Sequence, residues 1–170
     1  FNPVSGDRPG PFHDFAGCSP IISQLRPESR GRLELASSDP FAQPKMHANY
    51  LATDTDKRVT IDGIHLVRRI MAQPAMMKFN AQEVSPGVDA QSDADMLAYA
   101  RSAGYTQFHP TCTCRMGTDA AAVVDPNLKV RNMSGLRVVD ASIMPAVVSG
   151  NTNATTIMIA EKAADLILGN

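Results

Sequence analysis

The chain has few cysteines, no surplus of either charge and no long apolar run, and each shortage removes a class of function. Three cysteines in 170 residues, Cys18, Cys112 and Cys114, are too few for a disulfide framework. Cys112 and Cys114 stand two apart, poor geometry for a mutual disulfide, and they bring too few ligands for a zinc site. They read as free, mostly buried thiols, which favours a reducing compartment and a cytoplasmic location. Sixteen basic residues against 17 acidic ones leave the chain without the basic stripe of a nucleic-acid binder. No apolar run reaches the length of a membrane-spanning helix, and no N-terminal signal pattern is visible. A G-x-G-x-x-G turn between a strand and a helix, the usual dinucleotide fingerprint, is absent as well. So are internal repeats and low-complexity tracts. The chain opens on Phe1 amid Pro and Gly, as a fragment or a processed piece would.

What is present suits a globular α+β protein. Apolar residues make up 44% of the chain, enough for a real core. Residues 1–20 read as loop. Ile21–Leu25 is a strand candidate, and Arg32–Ala36 alternates polar and apolar as a half-buried strand should. Met46–Leu51 reads as extended. Asp54 and Asp56 stand where a helix begins, with Val59, Gly63, Ile64, Val67, Ile70 and Met71 on one face and Arg68 and Arg69 projecting away. Gln73-Pro74 ends that helix. A second helix follows Asp93, with Met96, Leu97 and Ala100 inward and Gly104 as its stop. Short strands are expected at Leu128–Val130 and Leu136–Ser142. A last helix runs from about Ala154 to Leu168, with Ile157, Ala160, Ala164 and Ile167 as its inward stripe.

Two polar clusters draw the eye to the C-terminal third. One is Phe108-His109-Pro110-Thr111-Cys112-Thr113-Cys114-Arg115-Met116-Gly117, and the other is Ser149-Gly150-Asn151-Thr152-Asn153-Ala154-Thr155-Thr156. Between them lies the apolar Leu136-Arg137-Val138-Val139-Asp140-Ala141-Ser142. A polar loop, an apolar segment closing on a carboxylate and a helix starting behind small polar residues make a site-building unit. The unpaired N–H groups of a helix start attract electron-rich atoms. Such a unit lets His109 and Asn153 meet at a ligand. Arg115 reads as a partner in a structural salt bridge. His13, His47 and His65 read as surface or structural histidines.

These blocks closely resemble the C-terminal signature of the glucose–methanol–choline (GMC) oxidoreductases, FAD-dependent alcohol oxidases and dehydrogenases. That family has a histidine opening an H-P-x-G-T-x-x-M-G-like run and a second His or Asn some forty residues later, at the start of the last long helix. Here the pair is His109 and Asn153, 44 residues apart (153 − 109). Val139-Asp140-Ala141-Ser142-Ile143-Met144-Pro145 and the tail from Ala154 to Ala164 match in order. Leu25–Gly31 and Asn49–Leu51 are similar to the family's substrate domain. One departure stands out: where the family usually carries Gly-Thr after the His-Pro-x, this chain has Cys112-Thr113.

The resemblance implies an α+β chain that forms the C-terminal part of a two-domain flavoprotein, with 1–107 in the substrate domain and 108–170 as the catalytic, FAD-contacting segment. It implies oxidation of a primary alcohol to an aldehyde, as in the choline-oxidising branch with its His/Asn pair. His109 would take the hydroxyl proton, as a neutral imidazole can, while a hydride passes to flavin N5. Asn153 cannot accept a proton at neutral pH, so it would orient the substrate; its bland role is that of a helix cap. Asp140 and Ala141 would approach the cofactor, and Thr152, Asn153 and Ala154 would lie near the flavin ring. The implied partners are an N-terminal FAD-binding portion, a small alcohol and, as an open expectation, a second copy of the enzyme; a metal is not among them. Two other readings stand beside this one: a non-catalytic piece that keeps the fold without flavin, and a lyase-type activity on the same fold.

Overall fold

Thr53 sits just ahead of Asp54 and Asp56, and this polar start opens the longest helix of the protein. The computed structural model describes residues 15–169. In it α1 spans Asp54–Met71. The Thr53 hydroxyl accepts from the Asp56 N–H at 3.2 Å. The two acidic residues lie in the first turn and Arg68 and Arg69 in the last, each at the end of the helix dipole that favours its charge. A single turn, α2 (Pro74–Met77), follows directly, with Pro at the start where its missing N–H costs nothing. The chain returns in α3 (Asp93–Ala103). Its capping box pairs the Ser92 side chain with the Asp95 N–H and the Asp95 carboxylate with the Ser92 N–H.

These helices belong to one of two compact units, made of residues 15–24 together with Asn49–Gln107. Its core is Ile61 and Ile64 of α1 against Met96 of α3, which is fully buried. Ala90, Leu97 and Tyr99 pack around them. The expected α1 stripe is therefore corrected. Ile64 is buried, but Val59 and Ile70 are exposed, and Ile61 takes their place because α3 docks on its side of the helix. Nor does Arg68 project away. It is half-buried and forks onto Glu83 at 2.7–3.2 Å while also reaching the Gly87 carbonyl at 3.1 Å, which ties the 83–87 loop to α1. The strand expected over Ile21–Leu25 does not form, since that segment has no ladder partner. Instead Ile22 lies against Gly63, where an added Cβ would meet its Cγ2 at 2.5 Å, so only glycine admits this approach.

The second unit joins Leu25–Ala48 to residues 108–169. Residues 25–48 thus pack with the later part of the chain. They form an antiparallel pair, β1 (Arg32–Glu34) and β2 (Lys45–His47), in the register Arg32–His47, Leu33–Met46 and Glu34–Lys45. All six residues are exposed, so β1 is shorter and less covered than the half-buried strand its alternation suggests. His47 bonds Glu34 at 3.2 Å, and in the first unit His65 stands 3.5 Å from Asp93; His13 lies outside the described residues.

The core of the second unit is Val124, Leu128, Ile143, Met144, Ile159 and Ala163. The last two come from α4 (Asn153–Leu168). Here too the face is corrected: the expected stripe of Ile157, Ala160, Ala164 and Ile167 points outward, and Ile159 and Ala163 are buried, flanked by Leu166. The helix is apolar on more than one side, so its periodicity could not choose between them. The strands expected at Leu128–Val130 and Leu136–Ser142 reduce to isolated bridges, Met116–Val124, Val124–Val130 and Lys129–Arg137. From Ala141 to Ile143 the chain makes a 3-10 turn. The architecture is thus mixed helix and strand, with helices dominant.

Candidate active site

His109 lies in a loop whose backbone is held by the segment around the 3-10 turn. The Cys114 N–H donates to the Ser142 carbonyl at 3.0 Å and the Met116 N–H to the Ile143 carbonyl at 2.8 Å. Asp140 starts that turn by accepting from the Ser142 N–H at 2.7 Å, an Asx cap. Two residues that bracket His109-Pro110-Thr111 adopt left-handed conformations, Phe108 with φ 59° and Cys112 with φ 74°. At the position where the family usually carries glycine, cysteine here holds a positive φ that glycine would adopt without strain.

The imidazole is held at both nitrogens. Nδ1 lies 3.0 Å from Thr152 Oγ1, and Nε2 lies 3.1 Å from Asn151 Oδ1. The amide oxygen can only accept, so Nε2 carries the proton and the Thr152 hydroxyl donates to Nδ1. Thr152 is itself buried, 9% exposed, and is the N-cap residue of α4. A threonine there ordinarily bonds the helix's own N–H groups. This one makes no such bond; its hydroxyl is committed to His109.

Of the residues picked out from sequence, the structure brings His109 and Thr152 together directly. Asn153 opens α4 with an exposed side chain and takes no part in the hydrogen bonds of His109. Ala154 follows, also exposed, and Ala141 is half-buried in the 3-10 turn. Asn151 is the contact the sequence reading missed. In the sequence it is one member of the polar cluster 149–156, and the signal that could have found it is its place two residues before Asn153, on the same approach to α4.

The geometry suits a flavin. Because Thr152 faces His109, no side chain caps α4, and its first-turn N–H groups are left open beside Asn153 and Ala154. Open amides at a helix start are what an electron-rich ring oxygen requires, and alanine at 154 lets a flat ring approach. Beyond the loop, Arg115 forks onto Asp119 at 2.7–2.8 Å. This pairing holds the Asp119 carboxyl well below the usual carboxylate range and raises the Arg115 guanidinium. The structural role expected for Arg115 is the one it plays. Among the described residues no group of three or more His, Cys, Asp or Glu side chains could hold a metal ion, and no helix is long and apolar enough to cross a membrane.

Residues 27–160 match the family model described as GMC oxidoreductase. The chain belongs to the GMC oxidoreductase family. It is 50% identical over 148 residues to an oxygen-dependent choline dehydrogenase of Acinetobacter baumannii (strain AYE), covering 87% of this chain and 27% of that protein. Its fold is similar to that of a fungal aryl-alcohol oxidase, with TM-score 0.77 and 36% identity over 85% of this chain and 24% of the other. It is similar as well to an FAD-dependent oxidoreductase from Chaetomium thermophilum, with TM-score 0.78 and 31% identity over 84% and 25% of the two chains. GMC oxidoreductases bind FAD. The chain spans about a quarter of the length of these relatives.

Proposed function

We propose that this chain is the site-bearing C-terminal portion of an FAD-dependent enzyme that oxidises a primary alcohol to an aldehyde. It acts with an N-terminal FAD-binding portion, with residues 1–107 on the substrate side and 108–170 against the cofactor. The observation that carries the reading is His109 held at both ring nitrogens beside an uncapped helix start. The half identity to a choline dehydrogenase makes choline the first substrate to try. The cysteines are less buried than expected, Cys18 being exposed and Cys112 and Cys114 half-buried; their small number is what supports a reducing, cytoplasmic setting.

When bound, FAD supplies the hydride acceptor. The chain's own residues handle the proton and the geometry. With the ring proton on Nδ1 and donated to the Thr152 oxygen, Nε2 of His109 is bare and takes the hydroxyl proton, while the Thr152 contact keeps the ring from turning. The exposed amide of Asn153 holds the substrate oxygen so that the carbon–hydrogen bond is aimed correctly; such alignment can lower a barrier by roughly 7–11 kcal/mol at its best-documented limit. Thr152, Asn153 and Ala154 would hold the flavin ring, with the open first-turn N–H groups of α4 as donors to it. Asp140 and Ala141 would hold the rest of the cofactor.

The test is anaerobic bleaching of the flavin by choline and other small primary alcohols, with the complete enzyme and its His109→Ala variant. The wild type bleaches. The variant keeps its flavin and loses the rate by a factor on the order of 10² or more, the scale of a positioned base. Equal rates would make His109 structural, and a complete enzyme without flavin would overturn the oxidase reading.

A further inference from the structure

We propose that Asn151 is a positioning residue of the His109 base, a place-holder that occupies Nε2 until a substrate hydroxyl displaces it. The inference rests on the reading of His109 as that base. The Asn151 amide is 3.1 Å from Nε2, on the opposite side of the ring from the Thr152 hydroxyl at 3.0 Å. As it stands, Oδ1 accepts from Nε2–H, and a protonated nitrogen cannot take a proton from an alcohol. The arrangement has a second, equally bonded form. If the amide turns about its last bond, its N–H₂ group donates to a bare Nε2, and Nδ1–H donates to the Thr152 oxygen. The ring has then moved its proton from one nitrogen to the other without losing a hydrogen bond. Nε2 in this second form holds a donor that an alcohol O–H can replace one for one. Thr152 is the fixed end of the clamp, because it is buried at the helix start. Asn151 is the releasable end, because it is exposed and lies outside the helix, directly after the bend at Ser149 and Gly150.

Both contacts of the ring are uncharged. The charged side chains on the segments around it are otherwise engaged: Arg26 donates to Ser149 Oγ at 2.8 Å, Arg115 is paired with Asp119, and Asp140 accepts from the Ser142 N–H. Among the described residues, a carboxylate placed at 151 would then be the one charged group hydrogen-bonded to the imidazole, and it would favour the charged ring.

The experiment compares the pH dependence of kcat/KM for choline in the complete wild-type enzyme and in Asn151→Asp, Asn151→Ala and His109→Ala, each checked for bound flavin. In Asn151→Asp the acidic limb moves up by about one pH unit or more, the shift of a ring beside an opposite charge. In Asn151→Ala the limb stays in place, kcat falls on the order of 10-fold because the ring is held at one end only, and KM does not rise. An Asn151→Asp limb coincident with the wild type overturns the proposal. Should that variant fail to fold, wild-type kcat in Asn151→Ala overturns it equally. Failure of the underlying reading looks different: His109→Ala would then keep the rate and the acidic limb, whatever the 151 variants do.

Discussion

Replacing Cys112 by glycine and by alanine should give results in the reverse of their usual order. At an ordinary position alanine is the more stabilising of the two by roughly 0.5–1 kcal/mol, because glycine loses more backbone freedom on folding. Cys112 has φ 74°, where a Cβ crowds the following carbonyl at a cost of about 1–2 kcal/mol. The second effect outweighs the first, so Cys112→Gly should be the more stable by about 0.5–1 kcal/mol. The two variants share the loss of the thiol and its 3.1 Å contact with the Thr111 hydroxyl, so that loss cancels from the comparison. Cys112→Val should fall below both, since a β-branched side chain tolerates a positive φ least. The assay is the thermal midpoint of the complete enzyme, followed by release of flavin fluorescence. For a large protein the expected gap between glycine and alanine is roughly one to two degrees, below the ~2–4 °C per kcal/mol of a 150–250-residue domain. A midpoint for Cys112→Ala equal to or above that for Cys112→Gly would refute the left-handed conformation and, with it, the strain account of the His109 loop.

Two further outcomes follow from the packing and the charges. Met96→Ala empties the fully buried centre of the first unit and should cost about 2–5 kcal/mol, read as a fall in the denaturant midpoint; a change below 1 kcal/mol would mean that the site is not enclosed. Asp119 is depressed in the folded protein by Arg115, so the stability this pair contributes is present above the unfolded carboxyl value near 4 and is lost as pH falls through the lower folded value. The thermal midpoint of Asp119→Asn should therefore lie below the wild type at pH 6 and approach it on acidification, and parallel curves would contradict the pairing.

The elements with local signatures were legible from sequence, and those set by distant partners were not. Thr53 with Asp54 and Asp56, and Ser92 with Asp95, announce α1 and α3 because caps are made within a few residues. The choice of buried face depends on what docks there. α3 selected Ile61 in place of Val59 and Ile70, and the Val124–Met144 core selected Ile159 and Ala163 in place of Ile157 and Ala164. Apolar runs such as Leu136–Ser142 looked like strands because β-branched residues suit a ladder, yet no neighbouring segment extends far enough to pair with more than one residue. At the candidate site the ordered blocks pointed to His109 and Thr152. Asn151 escaped because a side-chain bond across 42 residues leaves no periodic trace.

The hydrogen bonds that lace the second unit have a bearing on how it can change over time. The loop after His109 is fastened by main-chain groups at Cys114, Met116, Gly117 and Val123, and the next turns by those at Asp125, Val130 and Val138. An amide offers the same donor whatever side chain it carries, proline excepted. Drift in side-chain identity along this stretch therefore leaves the seams intact. A residue as unsuited to its backbone as Cys112 can be absorbed while the imidazole three residues before it keeps its place.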